Sequence, residues 1–265
     1  MKYFSLAASF LLSVPISAFT PVGVANKQSV VSSTTTTTQL AATSGALGCR
    51  PIGIGSAAPK TVVSNVDLEN VVDTSDEWIQ QRTGIAKRHL LLNKESLRDL
   101  SIEAASNALD MAGLKAEDID LVICATSSPD DMFGDAPSIA IALGCDKNTL
   151  AFDLTAACSG FLFATVTAGK FLTGGKGFKN AIIIGADALS RWVDWDDRNT
   201  CILFGDGAGA MVLTNDDDTP GVLGYAAHSN GGGYQDLKLG YVQRILFWGG
   251  CNFIFSRLCR EDSIV

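Results

Sequence analysis

From Cys49 onward, short runs of β-branched and apolar residues alternate with segments of helical periodicity, and this alternation restricts the fold more than any other feature. The strand candidates are Pro51–Gly55, Leu121–Thr126, Leu150–Asp153, Ala181–Ala186 and Ala208–Leu213. Between them, the spacing predicts a helix from Ser96 to Ala112, with Leu97, Leu100, Ala104, Ala108 and Met111 on one face and Gly113 ending it. A second helix should start near Thr74, where Thr74-Ser75-Asp76-Glu77 has the spacing of a capping box. A third is expected from about Cys158 to Leu172, burying Phe161, Leu162, Thr165, Ala168 and Leu172. Strands interleaved with helices imply an α/β fold with a mixed sheet and helices on both faces.

The first 48 residues belong to a different regime. Lys2 precedes a short apolar stretch, Tyr3 to Ile16, that ends at Ser17-Ala18, the layout of a secretory signal peptide. The stretch is too short, and too broken by Pro15, for a membrane span. Residues 19 to 48 contain no Asp or Glu and are rich in Ser and Thr; the first acidic residue of the chain is Asp67. A segment of that composition cannot build a core. A signal peptide over residues 1–18 and a disordered, hydroxyl-rich transit segment over 19–48 resemble the two-part presequence that leads to the stroma of a plastid (chloroplast). An ordinary secreted protein with a flexible N-terminus is the alternative, and unpaired cysteines fit it poorly.

With 47% hydrophobic residues, the remainder can bury a sizeable core. The net charge of −8 argues against nucleic-acid binding, which needs a basic face. An acidic partner would need a local basic patch, for which Lys87, Arg88 and Arg191 are candidates. The cysteines, at 49, 124, 145, 158, 201, 251 and 259, form no C-x-x-C pair or zinc pattern, so neither metal nor structural disulfides are expected. Cys124 lies inside the apolar run 121–125 and reads as core.

The chemistry-bearing motif is Asp153-Leu154-Thr155-Ala156-Ala157-Cys158-Ser159-Gly160-Phe161. A strand ends, small residues turn the chain, and a cysteine opens a helix. Free N–H groups and the positive end of the helix dipole favour an anion there. A thiol of reference pKa roughly 8.5 can fall to about 3.5–7.5 in such a place. Small neighbours leave room for a substrate carbonyl against backbone N–H groups, in the manner of an oxyanion hole. A second buried thiol, like Cys124, fits the local pattern equally well. Trp78 by itself reads as a core residue at least as readily as a ligand. Gly53-Ile54-Gly55 followed by Asp73 has the look of a dinucleotide fingerprint, but Pro59 falls where its helix should run. Gly205 to Gly209 lacks the Lys-Ser/Thr of a phosphate-binding loop.

Three segments together resemble the β-ketoacyl-acyl-carrier-protein synthase III family of the thiolase superfamily: the Cys158 motif, Asp73–Ile79 with Arg82-Thr83-Gly84-Ile85, and Phe204-Gly205-Asp206-Gly207-Ala208-Gly209-Ala210. They occur in the family's order over residues 49–240. The resemblance implies the N-terminal half of a thiolase-like fold, with Cys158 as the acyl-accepting catalytic nucleophile. It also implies that Trp78, Arg82 and Arg198 hold coenzyme A, the tryptophan stacking on the adenine and arginines on the phosphates. Phe133 corresponds to a wall of the acyl pocket that reaches across the family's dimer interface. The implied reaction condenses acetyl-CoA with malonyl-acyl carrier protein, initiating type II fatty acid synthesis through an acyl-cysteine. The partners are then those two substrates and a second copy of the chain, with no permanent cofactor, nucleic acid or membrane span in the mature chain.

The family's catalytic histidine and asparagine belong to a second half that this chain does not contain, and neither His89 nor His228 sits in the matching motif. Residues 241–265 (Phe247-Trp248, Cys251, Phe253-Ile254-Phe255, Cys259) break the pattern, as a mis-spliced or truncated C-terminus would. The expectation is a chain unable to condense on its own, with apolar surface bare where the other half would pack. Two alternatives stand beside it: a non-catalytic half-subunit that pairs with a full-length synthase, and another condensing enzyme of the superfamily. Trp78 and Arg82 favour the initiating synthase.

Overall fold

The computed structural model describes residues 46–92, 94–173, 177–215 and 221–238. The expected signal peptide, the transit segment up to residue 45 and the atypical tail after residue 240 lie outside the described residues. Packing begins two residues before the expected boundary at Cys49. Leu47 is fully buried and its N–H donates to the Val222 carbonyl at 2.9 Å.

Among the described residues, seven strands form two sheets: β1 (Cys49–Ala57), β2 (Thr61–Ser64), β3 (Lys87–Leu90), β4 (Leu121–Ala125), β5 (Leu150–Leu154), β6 (Asn180–Ala188) and β7 (Asp206–Asn215). The main sheet has the order β1-β7-β6-β4-β5, and β2 pairs with β3 in a separate ribbon. β4 runs parallel to both β5 and β6, whereas β7 is antiparallel to β6 and β1. The sheet is therefore mixed, as the sequence pattern predicts.

The helices that accompany these strands among the described residues are α1 (Asn65–Leu68), α2 (Asp76–Thr83), α3 (Leu97–Ala112), α4 (Ala136–Leu143) and α5 (Gly160–Leu172). The central strands are apolar on both sides, and successive residues feed opposite cores. Val122, Cys124, Ile182 and Ile184 pack with α3 and α4. Leu121, Ile123, Ala125, Ala181 and Ile183 pack with Ala164, Ala168 and Leu172 of α5. A third small core gathers Val63, Leu68, Ile79, Leu90, Trp195 and Ile202 around the β2–β3 ribbon.

The pair that looked like a dinucleotide fingerprint has a packing role instead. β1 continues through Ala57 and leads to β2, not into a helix. A Cβ at Gly53 or Gly55 would lie 2.2 Å from a carbonyl oxygen of α3, so only glycine lets strand and helix approach this closely.

Helix details differ from expectation in three places. The N-cap of α2 is Ser75, not Thr74, and its hydroxyl accepts from the Trp78 N–H. Met111 is 63% exposed because it falls on the last turn of α3, beside the edge strand β1, where its sulfur accepts from the Ile54 N–H. Leu162 is 65% exposed because the sheet lies on the opposite side of α5, toward Ala164 and Ala168. Apolar surface is thus bare on α5, as expected for a helix packed on one side only.

Candidate active site

The nucleophile candidate sits where β5 gives way to α5. After Leu154 the chain makes a tight 3-10 turn over Ala157–Ser159, and α5 starts at Gly160. Ala157, directly before the cysteine, has φ +46°, a region that non-glycine residues adopt only when the surroundings impose it. A Cβ at Gly160 would lie 3.2 Å from that of Ala125, so the small residue lets the helix seat close to β4.

Cys158 is exposed, whereas Cys49, Cys124, Cys145 and Cys201 are buried. Burial pushes all four of those thiols up, Cys201 to about 11, where Asp197 adds to the effect and Arg88 opposes it. The interior reading of Cys158, open at the level of local sequence, is overturned by this exposure. Two oxygen acceptors fix the ground beneath the turn: the Thr126 N–H donates to the Leu154 carbonyl, and the Thr155 hydroxyl donates to the Thr126 carbonyl at 2.9 Å.

A second feature gathers Trp78, Arg82 and Arg198. Trp78 and Arg82 are one turn apart on α2, which stacks the Arg82 guanidinium 4.3 Å from the centre of the indole. Arg198 arrives from the loop between the turns at Leu189–Arg191 and Cys201–Leu203, and its guanidinium lies 4.1 Å from the same ring. Its Nη1 is 3.7 Å from an Asp73 carboxylate oxygen, and its buried Nε has no hydrogen-bond partner. The Asp197 carboxylate, held below the usual range by bonds from the Thr200 hydroxyl and the Asn199 N–H, shapes that loop.

A third feature is the loop after β4. Met132 and Phe133 at its tip are 90% and 99% exposed. With Thr126, Pro129, Gly134 and Asp153 they border a cavity of about 350 Å³ beside the nucleophile strand. A larger cavity of about 580 Å³, lined by Arg50, Leu114, Lys179 and Asn180, opens at the other end of the parallel strands and takes no part.

The candidate basic patch does not form. Arg88 is only 5% exposed; its guanidinium donates to Asn65 Oδ1 at 2.8 Å and to the carbonyls of Val63 and Ile202, and burial lowers its pKa. Arg191 is paired with Asp130 at 2.6 Å. Of the three, Lys87 is exposed and Arg191 is half-buried in its ion pair. Three carboxylates organise the loops in a way that the local sequence does not reveal. Asp153 accepts from the N–H groups of Asp135 and Ala136; Asp187 accepts from the Ser127 N–H and the Ser128 hydroxyl; Asp206 accepts from the N–H groups of Leu91 and Ser190. Their partners are distant in sequence, which leaves no local signal. Among the described residues no group of three or more His, Cys, Asp or Glu side chains could hold a metal, and no helix is long and apolar enough to cross a membrane.

A mixed sheet between helix layers, with a cysteine at the mouth of a helix that follows a parallel strand, is the N-terminal unit of a thiolase-like fold. Solved structures of that class match it: 3-oxoacyl-[acyl-carrier-protein] synthase III from Aquifex aeolicus VF5 is 47% identical with a TM-score of 0.61, the match covering 64% of this chain and 55% of that one. Residues 152–231 match the family described as 3-oxoacyl-[acyl-carrier-protein (ACP)] synthase III. The chloroplastic β-ketoacyl-[acyl-carrier-protein] synthase III of Arabidopsis thaliana is 55% identical over 192 residues, 72% of this chain and 47% of that protein. The synthase III of Prochlorococcus marinus (strain NATL2A) is 55% identical over 185 residues, 70% of this chain and 54% of that protein. Over some 70% of its length the chain is similar to β-ketoacyl-[acyl-carrier-protein] synthases III, and it spans about half the length of the curated relatives it matches.

Proposed function

We propose that this chain serves the reaction that starts type II fatty acid synthesis in a plastid, in which acetyl-CoA and malonyl-acyl carrier protein form acetoacetyl-acyl carrier protein, with Cys158 as the acyl carrier. The observation that carries this reading is the exposure of Cys158 at the head of α5, against four buried cysteines. Its sulfur attacks the thioester carbonyl of acetyl-CoA, the carbon–sulfur bond to coenzyme A breaks, and the thiol proton ends on the departing coenzyme A. Backbone N–H groups at the start of the helix stabilise the transient oxyanion. Trp78 offers a flat surface to the adenine, and Arg82 and Arg198 supply charge for the phosphates.

His89 Nδ1 lies 2.6 Å from the Pro59 carbonyl within the β2–β3 region, and His228 is exposed in the segment after β7. Neither is placed on an element that carries Cys158. Acyl transfer to Cys158 is the step that these residues support. A homodimer fits the remaining surface: among the described residues β5 is an edge strand, Leu150 is 39% exposed, and Met132 and Phe133 project beside it. Such an edge is a template for a second copy. The same surface would serve the alternative, a non-catalytic half-subunit pairing with a full-length synthase; the exposed Cys158 favours the catalytic reading.

The test is isotope exchange between labelled coenzyme A and acetyl-CoA, which needs acyl transfer alone. The wild-type chain should exchange label and Cys158→Ser should not; exchange that survives the substitution would refute the assignment.

A further inference from the structure

The loop that carries Met132 and Phe133 is held almost entirely by carboxylates accepting backbone N–H groups. Asp131 accepts from the Phe133 N–H at 2.9 Å, and Asp135 accepts from the Asp130 N–H at 2.7 Å. Asp130 in turn accepts from the Arg98 N–H at 3.0 Å and pairs with Arg191 at 2.6 Å, which pins the loop to the first turn of α3. The end of the loop is pinned differently. Its acceptor, Asp153, belongs to β5 and stands five residues before Cys158.

Asp153 takes the N–H of Asp135 on one oxygen at 2.9 Å and that of Ala136 on the other at 2.7 Å. These are the cap and first residues of α4, whose own N-cap side chain makes no capping bond. The carboxylate thus caps a helix from another strand. Gly134 is built around it: φ is +102°, and a Cβ there would sit 2.9 Å from an Asp153 carboxylate oxygen. Met132, Phe133, Gly134 and Asp153 border one cavity.

We propose that Asp153 is a positioning residue that ties the strand feeding the nucleophile to the loop whose tip borders the cavity beside that strand, and so sets which acyl chains are accepted. The inference rests on the reading of Cys158 as acyl acceptor. Asp153 touches no substrate in it. Two short charge-assisted bonds from one rigid strand fix the phase of α4 and the direction in which residues 132 and 133 leave the loop. Loss of one bond frees the wall to yield, which favours the longer chain over the shorter.

The experiment compares wild type with Asp153→Asn, whose amide offers a single acceptor to two donors. Hydrogen exchange at the N–H groups of Asp135 and Ala136 should quicken by about threefold or more, the scale of a lost hydrogen bond. The ratio of hexanoyl to acetyl transfer from the coenzyme A thioesters to Cys158 should rise by about fivefold. A merely structural role would lower both transfers together and leave the ratio in place. Unchanged exchange, or faster exchange with an unchanged or lower ratio, overturns the proposal. Should Asp153→Asn fail to fold, Gly134→Ala disturbs the same junction from the loop side and carries the same expectation. A wild type that transfers neither acyl group refutes the role of Cys158 itself, and this proposal falls with it; transfer with an unmoved ratio refutes this proposal alone.

Discussion

The Arg198 guanidinium lies 4.1 Å from the centre of the Trp78 ring, although 120 residues of sequence separate them, and Arg82 lies 4.3 Å from the same ring. The three residues converge from a helix and a distant loop into one aromatic and cationic platform. Trp78→Ala should weaken coenzyme A binding by about tenfold or more, since stacking on one base contributes about 1–3 kcal/mol. Arg198→Ala should cost less, because Arg82 remains. Isothermal titration with coenzyme A checks both; equal affinity in all three proteins would remove the platform from the site.

Thiol reactivity should single out one residue. At pH 8 a Cys201 thiol with its pKa at about 11 is ionised to about one part in a thousand, and burial suppresses Cys49, Cys124 and Cys145 as well. Brief iodoacetamide treatment of the folded chain, followed by peptide mapping over residues 46–238, should therefore label Cys158 and leave those four unmodified. Prompt labelling of Cys124 would contradict the packing described.

How much of this arrangement was readable in advance depended on range. The strand and helix alternation was legible because side-chain period is a local property, and the Trp78–Arg82 stack follows from a spacing of one helical turn. Arg88 could have been placed inside by the same logic: Lys87 and Arg88 are neighbours in β3, so they point to opposite faces. Met111 and Leu162 misled because periodicity identifies a face but not where the sheet ends or which side of the helix it covers. Asp153 was visible as the head of the nucleophile motif, yet its bonds to Asp135 and Ala136 reach back 18 and 17 residues to the start of α4. Arg198 was placed by resemblance alone.

Gly53→Ala should destabilise the fold by about 1–3 kcal/mol, the range for overpacking, since the added methyl would fall 2.2 Å from the Ala108 carbonyl oxygen. Urea unfolding measures this directly. A stability equal to wild type would mean that β1 and α3 are not in the close contact described.

Burial raises the Asp187 carboxyl above its ordinary range, against the bonds it accepts from Ser127 and Ser128. A carboxyl whose folded-state pKa is raised contributes stability that is fully present below its unfolded pKa and is lost as pH rises through the folded value. Asp187→Asn removes that titration, so its melting temperature relative to wild type should be higher at pH 7 than at pH 4. A constant or falling difference over that window would show that the group ionises without penalty.

Phe133 is almost wholly exposed, so Phe133→Asp should leave the fold of a single chain intact. It should disrupt self-association at the β5 edge, lowering the mass measured by light scattering from that of a dimer to that of one chain. An unchanged mass would put the interface elsewhere.

The most direct measurement is the intact mass of the chain after incubation with acetyl-CoA, with the modified residue located by fragmentation. The account predicts one added acetyl group, on Cys158, absent from Cys158→Ser and released by hydroxylamine as a thioester must be. No acetyl group on Cys158, or acetylation that persists in Cys158→Ser, would contradict it.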